Sequence, residues 1–213
     1  MKRIFKFMVL AVVCASCATS GEKDDTMTAT TQTGENAVVD AIMGRRSIRK
    51  YLDTPVEHEK LETVVKCGIY APNGMNRQPW EIAVVESQEM IAKATEIFVK
   101  EQPEMVERDA NFKNMFRNAP NLICVASPID GSGNVDAGLL GENMMLAAYS
   151  LGLGTCCLGG PVAFLKSNQE CQWFIDALGF SDDYTLNYII AIGYPDETPE
   201  VKPRDESKIK YVN

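Results

Sequence analysis

The sequence predicts an α+β sandwich. Two observations carry that expectation. Segments with helical apolar spacing outnumber apolar runs of strand length, and the two kinds do not alternate in the strand–helix–strand order that a doubly wound sheet requires. A third observation bounds the size: about 180 of the 213 residues lie after an N-terminal region of quite different composition, which suits one domain with its own core.

That N-terminal region divides in two. Lys2, Arg3 and Lys6 form a positive start, Phe7 to Val13 an apolar stretch, and Cys14-Ala15-Ser16-Cys17 ends it with small residues before a cysteine. This is the pattern of a bacterial secretory signal over residues 1–17. The apolar run falls well short of the roughly 20 residues that cross a bilayer. Cys17 stands where a lipoprotein processing box would place its lipid-bearing cysteine, so an exported chain anchored at a membrane face is expected. Residues 18–34 are rich in Thr, Ser, Gly and Asp with no apolar periodicity, and read as a flexible tether. Residues 35–213 form the domain.

Within the domain, Glu35 to Gly44 is predicted to be a short helix. Glu57 to Tyr70 is a second, with Leu61, Val64, Val65, Gly68 and Ile69 on one face and Pro55 ahead of it as a start signal. Glu81 to Val85 reads as a strand, and Ser87 as the cap of a helix running to about Lys100. A further helix is expected over Pro103 to Arg117, ended by Pro120. Asn121 to Ala126 is an apolar run of strand length. Val135 to Leu151 is a long helix whose Leu139, Leu140, Met144, Leu146 and Ala147 lie nearly all round it, implying burial on most sides. Gln169 to Leu178 is helical, and Thr185 to Gly193 is a strand carrying Tyr188, Ile189, Ile190 and Ile192.

Charge and residue usage exclude several functions. The net charge is −8, and removing Lys2, Arg3 and Lys6 with the leader leaves 18 bases against 29 acids, a balance of −11. Nucleic acid is therefore not expected as a partner. Bases that persist at Arg45, Arg46, Arg49, Lys202 and Arg204 suggest a local anion pocket. Five cysteines follow Cys17, at Cys67, Cys124, Cys156, Cys157 and Cys171; an odd count without paired spacing is not a disulfide framework. Cys67 and Cys124 are expected as buried thiols. The single histidine, His58, stands between two glutamates and is expected on an exposed helix, which argues against a Ser-His-Asp or Cys-His machine. No His/Cys cluster has metal spacing, and there is no phosphate-binding glycine fingerprint.

Four segments carry chemistry. Arg45-Arg46-Ser47-Ile48-Arg49 follows a helix in extended form, so Arg45, Ser47 and Arg49 share one face; guanidinium groups make paired, charge-assisted bonds to phosphate. Ala71-Pro72-Asn73-Gly74-Met75-Asn76-Arg77-Gln78-Pro79-Trp80 is a turn leading into a strand, with Trp80 expected in the core. Leu151-Gly152-Leu153-Gly154-Thr155-Cys156-Cys157-Leu158-Gly159-Gly160 is a glycine-rich exit from the long helix. Lys202-Pro203-Arg204 places two more bases after the last strand.

In this order and spacing the four segments resemble the FMN-dependent nitroreductase family. The resemblance implies a nitroreductase-like sandwich, a central, mostly antiparallel sheet flanked by helices, in an intertwined homodimer with the long helix at its core. It implies FMN as cofactor and NAD(P)H as electron donor. Arg45 and Ser47 would bind the phosphate or ribityl tail, Arg49 would stand at the N1/O2 edge of the ring, and Arg46 would be a further cofactor-binding residue. Pro72, Asn73, Gly74 and Asn76 would reach the flavin across the dimer. Cys157, Leu158, Gly159 and Gly160 would lie near N5, and Lys202 and Arg204 would form a second phosphate clamp. The flavin carries the chemistry, so no dedicated catalytic acid or nucleophile is expected. No hydroxyl side chain stands from Cys157 to Gly160, where halogen-removing relatives tend to place one. The implied activity is ping-pong reduction of a small nitroaromatic or quinone-like acceptor. Two alternatives stand beside it: an exported flavoprotein fed by a membrane or protein donor, and a non-catalytic flavin-binding surface lipoprotein.

Overall fold

The computed structural model describes residues 36–212. The expected leader, the tether and the lipid-bearing Cys17 lie outside the described residues. Among these, seven α-helices and four strands form an α+β unit: α1 (Ala37–Gly44), α2 (His58–Gly68), β1 (Glu81–Val85), α3 (Gln88–Glu101), α4 (Pro103–Glu107), β2 (Asn121–Pro128), α5 (Asn134–Ser150), β3 (Gly154–Leu158), α6 (Gly160–Ser167), α7 (Gln172–Ala177) and β4 (Tyr184–Gly193). The sheet is antiparallel throughout in the order β1-β2-β4-β3.

The side-chain period of two divides the central strands cleanly. Ile123 and Val125 of β2 and Ile190 and Ile192 of β4 face a core completed by Leu61 and Val64 of α2 and Ala137, Leu140, Met144 and Ala148 of α5. Leu122, Cys124, Ile189 and Ala191 face the opposite core, filled from α3, α6 and α7 by Ile91, Ala94, Leu165 and Phe174. Strands buried on both faces explain why these runs read as continuously apolar. Each fully buried Leu or Ile side chain stabilises the fold by about 1.5–3 kcal/mol.

Local signals act as expected at several boundaries. Asn36 caps α1 by accepting from the amides of Val38 and Val39, and Ser87 caps α3 by accepting from Met90 N. Trp80 is buried, as are Cys124 and Met144.

Four expectations need correction. The helix predicted over Pro103 to Arg117 stops at Glu107. Beyond it, asparagine side chains satisfy the backbone in place of a helical ladder: Asn118 Oδ1 accepts from Lys113 N (2.8 Å) and Asn114 N (3.0 Å), and Asn114 Oδ1 from Phe116 N (2.9 Å). Ile69 falls one residue past α2 and is exposed. Cys67 is exposed rather than buried. Within the single chain the long helix is buried along one side only, since Val135, Leu139 and Tyr149 are exposed there. Strand β3 and helix α6 were not foreseen: glycines flank and open both elements and mask their propensity.

Candidate functional site

The segment Arg45–Leu52 lies against the free side of β3. Ser47 makes a parallel bridge with Thr155, and Ile48 N donates to Thr155 O at 2.9 Å. Its other side is tied to the chain leaving β4: Leu52 N donates to Tyr194 O and Asp196 N to Lys50 O, both at 2.9 Å. Close seating at β3 depends on Gly154, because a Cβ there would stand 2.7 Å from the Ile48 side chain.

This seating fixes the arginines. Arg46 Nη1 donates to Met43 O (2.6 Å) and Arg45 O (2.7 Å), completing the C-terminal end of α1. Arg45 reaches toward Glu142 on α5, with Nε 3.7 Å from a carboxylate oxygen. That Nε is buried and has no hydrogen-bond partner among the described residues, and the same holds for the Thr155 hydroxyl opposite Ser47. Two buried polar atoms left unsatisfied beside one bridge are costly in a folded chain and mark a place built for something else to complete it. Arg49 is exposed, its Nη1 on Ser47 O at 3.2 Å, while its own amide donates to Glu197 Oε1. A cavity of about 370 Å³ opens beside this group, lined by Arg45, Arg46, Tyr149, Leu153, Glu197 and Val201 among others.

The fields of these cations register on Cys156. Burial pushes its thiol up, and Arg49, Arg117 and Arg45 pull it back down, in that order. Burial also raises the thiols of Cys157 and Cys171 and pushes Cys124 up to about 12. None of these four is poised as a thiolate nucleophile. Arg117 is the cation that sequence reasoning missed. It sat inside the expected helix, where nothing distinguished it from a solvated base.

Beyond β3, Leu158 is buried and Cys157, Gly159 and Gly160 are exposed. A Cβ at Gly159 or Gly160 would meet nothing within 4 Å, so the main chain there is open to a planar group.

The remaining expected site residues are placed elsewhere in the chain. The Pro72–Asn76 turn runs between Gly68, whose added Cβ would meet the Met144 side chain of α5 at 2.5 Å, and Pro79, whose carbonyl oxygen a Cβ on Gly133 would meet at 2.6 Å. Pro72, Gly74 and Asn76 are exposed. Asn73 is turned inward and holds its own turn, accepting from Gln78 N (2.9 Å) and donating to Ala71 O (3.3 Å). Lys202 and Arg204 are exposed, with Arg204 Nη1 on Lys202 O, although Val201 beside them lines the arginine cavity. His58 is exposed and pairs with Glu86. Among the described residues no His/Cys/Asp/Glu group has the arrangement of a metal site, and no helix is long and apolar enough to cross a membrane.

The donor set suits a phosphorylated, planar, redox-active ligand such as FMN. Arg45 brings a half-buried cation whose enclosed Nε–H is unpaired, Ser47 and Thr155 bring hydroxyls, Arg49 brings an exposed cation, and the Gly159–Gly160 backbone is unobstructed.

Comparison with known proteins agrees with this chemistry. The sequence model described as the Nitroreductase family matches residues 42–194. A Bacillus subtilis (strain 168) protein with the provisional name NAD(P)H nitroreductase is 30% identical over 198 residues, covering 87% of this chain and 99% of its own. The NADPH-flavin oxidoreductase of Vibrio harveyi is 27% identical over 174 residues, covering 79% and 70%. The crystal structure of a Desulfitobacterium hafniense DCB-2 nitroreductase with bound FMN superimposes with a TM-score of 0.74 at 27% identity, over 84% of this chain and all of that one.

Proposed function

The chain belongs to the nitroreductase family, and from that premise we propose that it is an FMN-dependent NAD(P)H oxidoreductase reducing a small nitroaromatic or quinone-like acceptor. The observation that carries the proposal is the pair of unsatisfied buried polar atoms, Arg45 Nε and Thr155 Oγ1, beside the Ser47 bridge. FMN, when bound, supplies the hydride chemistry, taking two electrons from a nicotinamide and passing them on.

The protein's part is to hold and tune. Arg45, Arg46 and Ser47 bind the phosphate and ribityl tail, and Lys202 and Arg204 close on the phosphate from the C-terminal segment. Arg49 supplies positive charge at the N1/O2 edge. The backbone of Cys157, Leu158, Gly159 and Gly160, open at the two glycines, would lie near the N5 side of the ring and could offer it a main-chain N–H. No side chain need give or take a proton as a dedicated catalyst.

The Pro72–Asn76 turn does not line the arginine cavity, so this chain alone does not bring the two together there. A homodimer with antiparallel α5 helices does. It sets the turn of one protomer, through Pro72, Gly74, Asn76 and the backbone of Asn73, over the flavin of its partner. The surfaces such a pairing covers are apolar and exposed in the single chain: Val38, Ile42 and Met43 on α1, and Val135, Leu139 and Tyr149 on α5.

The purified full chain is expected to be yellow, to bleach with NADH or NADPH, and to recover its colour with a quinone or nitroaromatic. A colourless chain that cannot be loaded with FMN contradicts the proposal. The leader and Cys17 favour a second reading of the donor alone: a lipid-anchored envelope protein lies outside the compartment rich in NAD(P)H. Faster bleaching by a reduced quinone than by either nicotinamide would favour it.

A further inference from the structure

Resting on the flavin-site reading above, we propose that Arg117 is a further flavin-tuning residue, held by a strained, asparagine-built loop so that its charge joins Arg49 at the reducible end of the site. The loop's placement is the first argument. Lys113 pairs with Asp53, four residues beyond Arg49. Pro120 and Tyr51 share one seat, since a Cβ on Gly193 would meet the Pro120 ring at 2.7 Å and the Tyr51 ring at 2.9 Å. Tyr51 in turn donates to Ile48 O at 2.6 Å. Residues 113–120 are thus clamped onto the Arg45–Asp53 segment at both ends, with Arg117 between the clamps.

The second argument is strain. Arg117 and Asn118 adopt φ of 61° and 62°, a left-handed pair that residues with a Cβ rarely take. The neighbours impose it: Asn118 Oδ1 holds two amides, Asn118 Nδ2 donates to Asn111 O (2.8 Å), Asn114 Nδ2 donates to Ala119 O (3.1 Å), and Met115 and Phe116 are buried on either side of that framework. Glycine would fit position 117 without strain. An arginine kept there, exposed and with no hydrogen bond or ion pair among the described residues, points to a use for its charge. The third argument is reach, since the field of Arg117 on Cys156 ranks between those of Arg49 and Arg45. A cation so placed favours the reduced, more negative form of a flavin bound against β3 over the oxidised form.

The test is the midpoint potential of FMN bound to the full-length chain, measured for the native protein and for Arg117→Ala, Arg117→Lys and Arg117→Gly, alongside the thermal midpoint of each. Arg117→Ala and Arg117→Gly are expected to shift the flavin equilibrium roughly tenfold toward the oxidised form, about 30 mV for a two-electron couple, with FMN still bound. Arg117→Lys should retain most of the native potential. Arg117→Gly should raise the thermal midpoint while lowering the potential, a divergence that a purely structural arginine does not produce. Bound flavin with an unchanged potential in Arg117→Ala and Arg117→Gly overturns this inference alone. A native chain that takes no flavin overturns the underlying site reading and this inference with it.

Discussion

At the start of β2 the buried Asn121 side chain accepts from the Val56 amide at 2.8 Å, and on α3 the buried Thr95 hydroxyl donates to Ile91 O at 2.7 Å. At the β3 edge, by contrast, Thr155 Oγ1 and Arg45 Nε are equally enclosed and have no partner. Among the described residues the one other buried polar side-chain atom without a partner is Trp173 Nε1 on α7, so two of the three stand together where the arginine segment docks. The contrast teaches that the β3 edge is shaped for a ligand at some cost in stability, while the sheet centre is shaped for stability alone.

The largest effect belongs to the scaffold side of the comparison. Phe174→Ala empties a fully buried site between α7 and the sheet and should destabilise the fold by about 3–5 kcal/mol, read from denaturant midpoints. FMN affinity, measured where the variant remains folded, should hold. Arg45→Met is the counterpart at the edge. It removes a half-buried cation whose enclosed Nε is unsatisfied, so the thermal midpoint of the flavin-free chain should stay level or rise. FMN affinity, from fluorescence titration, should fall about 10- to 100-fold, as loss of a charge-assisted bond of about 1.5–3 kcal/mol implies.

Thr155→Val sharpens the contrast at a single oxygen. Replacing an unpartnered buried hydroxyl with a methyl group in a strand should stabilise the flavin-free protein by about 1 kcal/mol, and weaken FMN binding several-fold. A loss of stability would mean that the hydroxyl is satisfied within the fold. The smallest effect lies at the segment's outer tie. The Tyr194 hydroxyl, then the backbone amide of Glu57 itself, then Lys60 hold the Glu57 carboxyl down at about 2. Its contribution is present above the ordinary value of 4.5 and fades as pH falls from there through about 2. Tyr194→Phe should flatten that part of the thermal midpoint's pH dependence and leave the neutral-pH value nearly unchanged.

The sequence revealed the sheet centre better than the edge, for physical reasons. Asn121–Pro128 and Tyr184–Gly193 are buried on both faces, and unbroken apolar runs announce that. The arginines were legible as chemistry through their order and spacing with the three other segments; three guanidinium groups in five residues alone read as a solvated basic turn. What the sequence did not reveal depends on distant contacts. Gly154–Leu158 becomes a strand because β4 and the Ser47 segment pair with it, not through its own propensity. Arg117 was hidden because Pro103 to Arg117 has helical composition, while Asn114 and Asn118 bond the backbone locally and break the helix. Asn73 was expected to offer its amide to a ligand, yet that amide is spent inside its own turn.

The measurement that bears most directly on the account is sedimentation of the full-length, FMN-saturated chain, following flavin and protein absorbance together, with Arg45→Met run beside it. The account predicts a two-chain species carrying one flavin per chain, and an Arg45→Met protein that sediments alike but leaves most of its flavin behind. Flavin bound tightly to a single chain, or retained in full by Arg45→Met, would contradict the claim that the β3-edge arginines hold the cofactor where two copies meet.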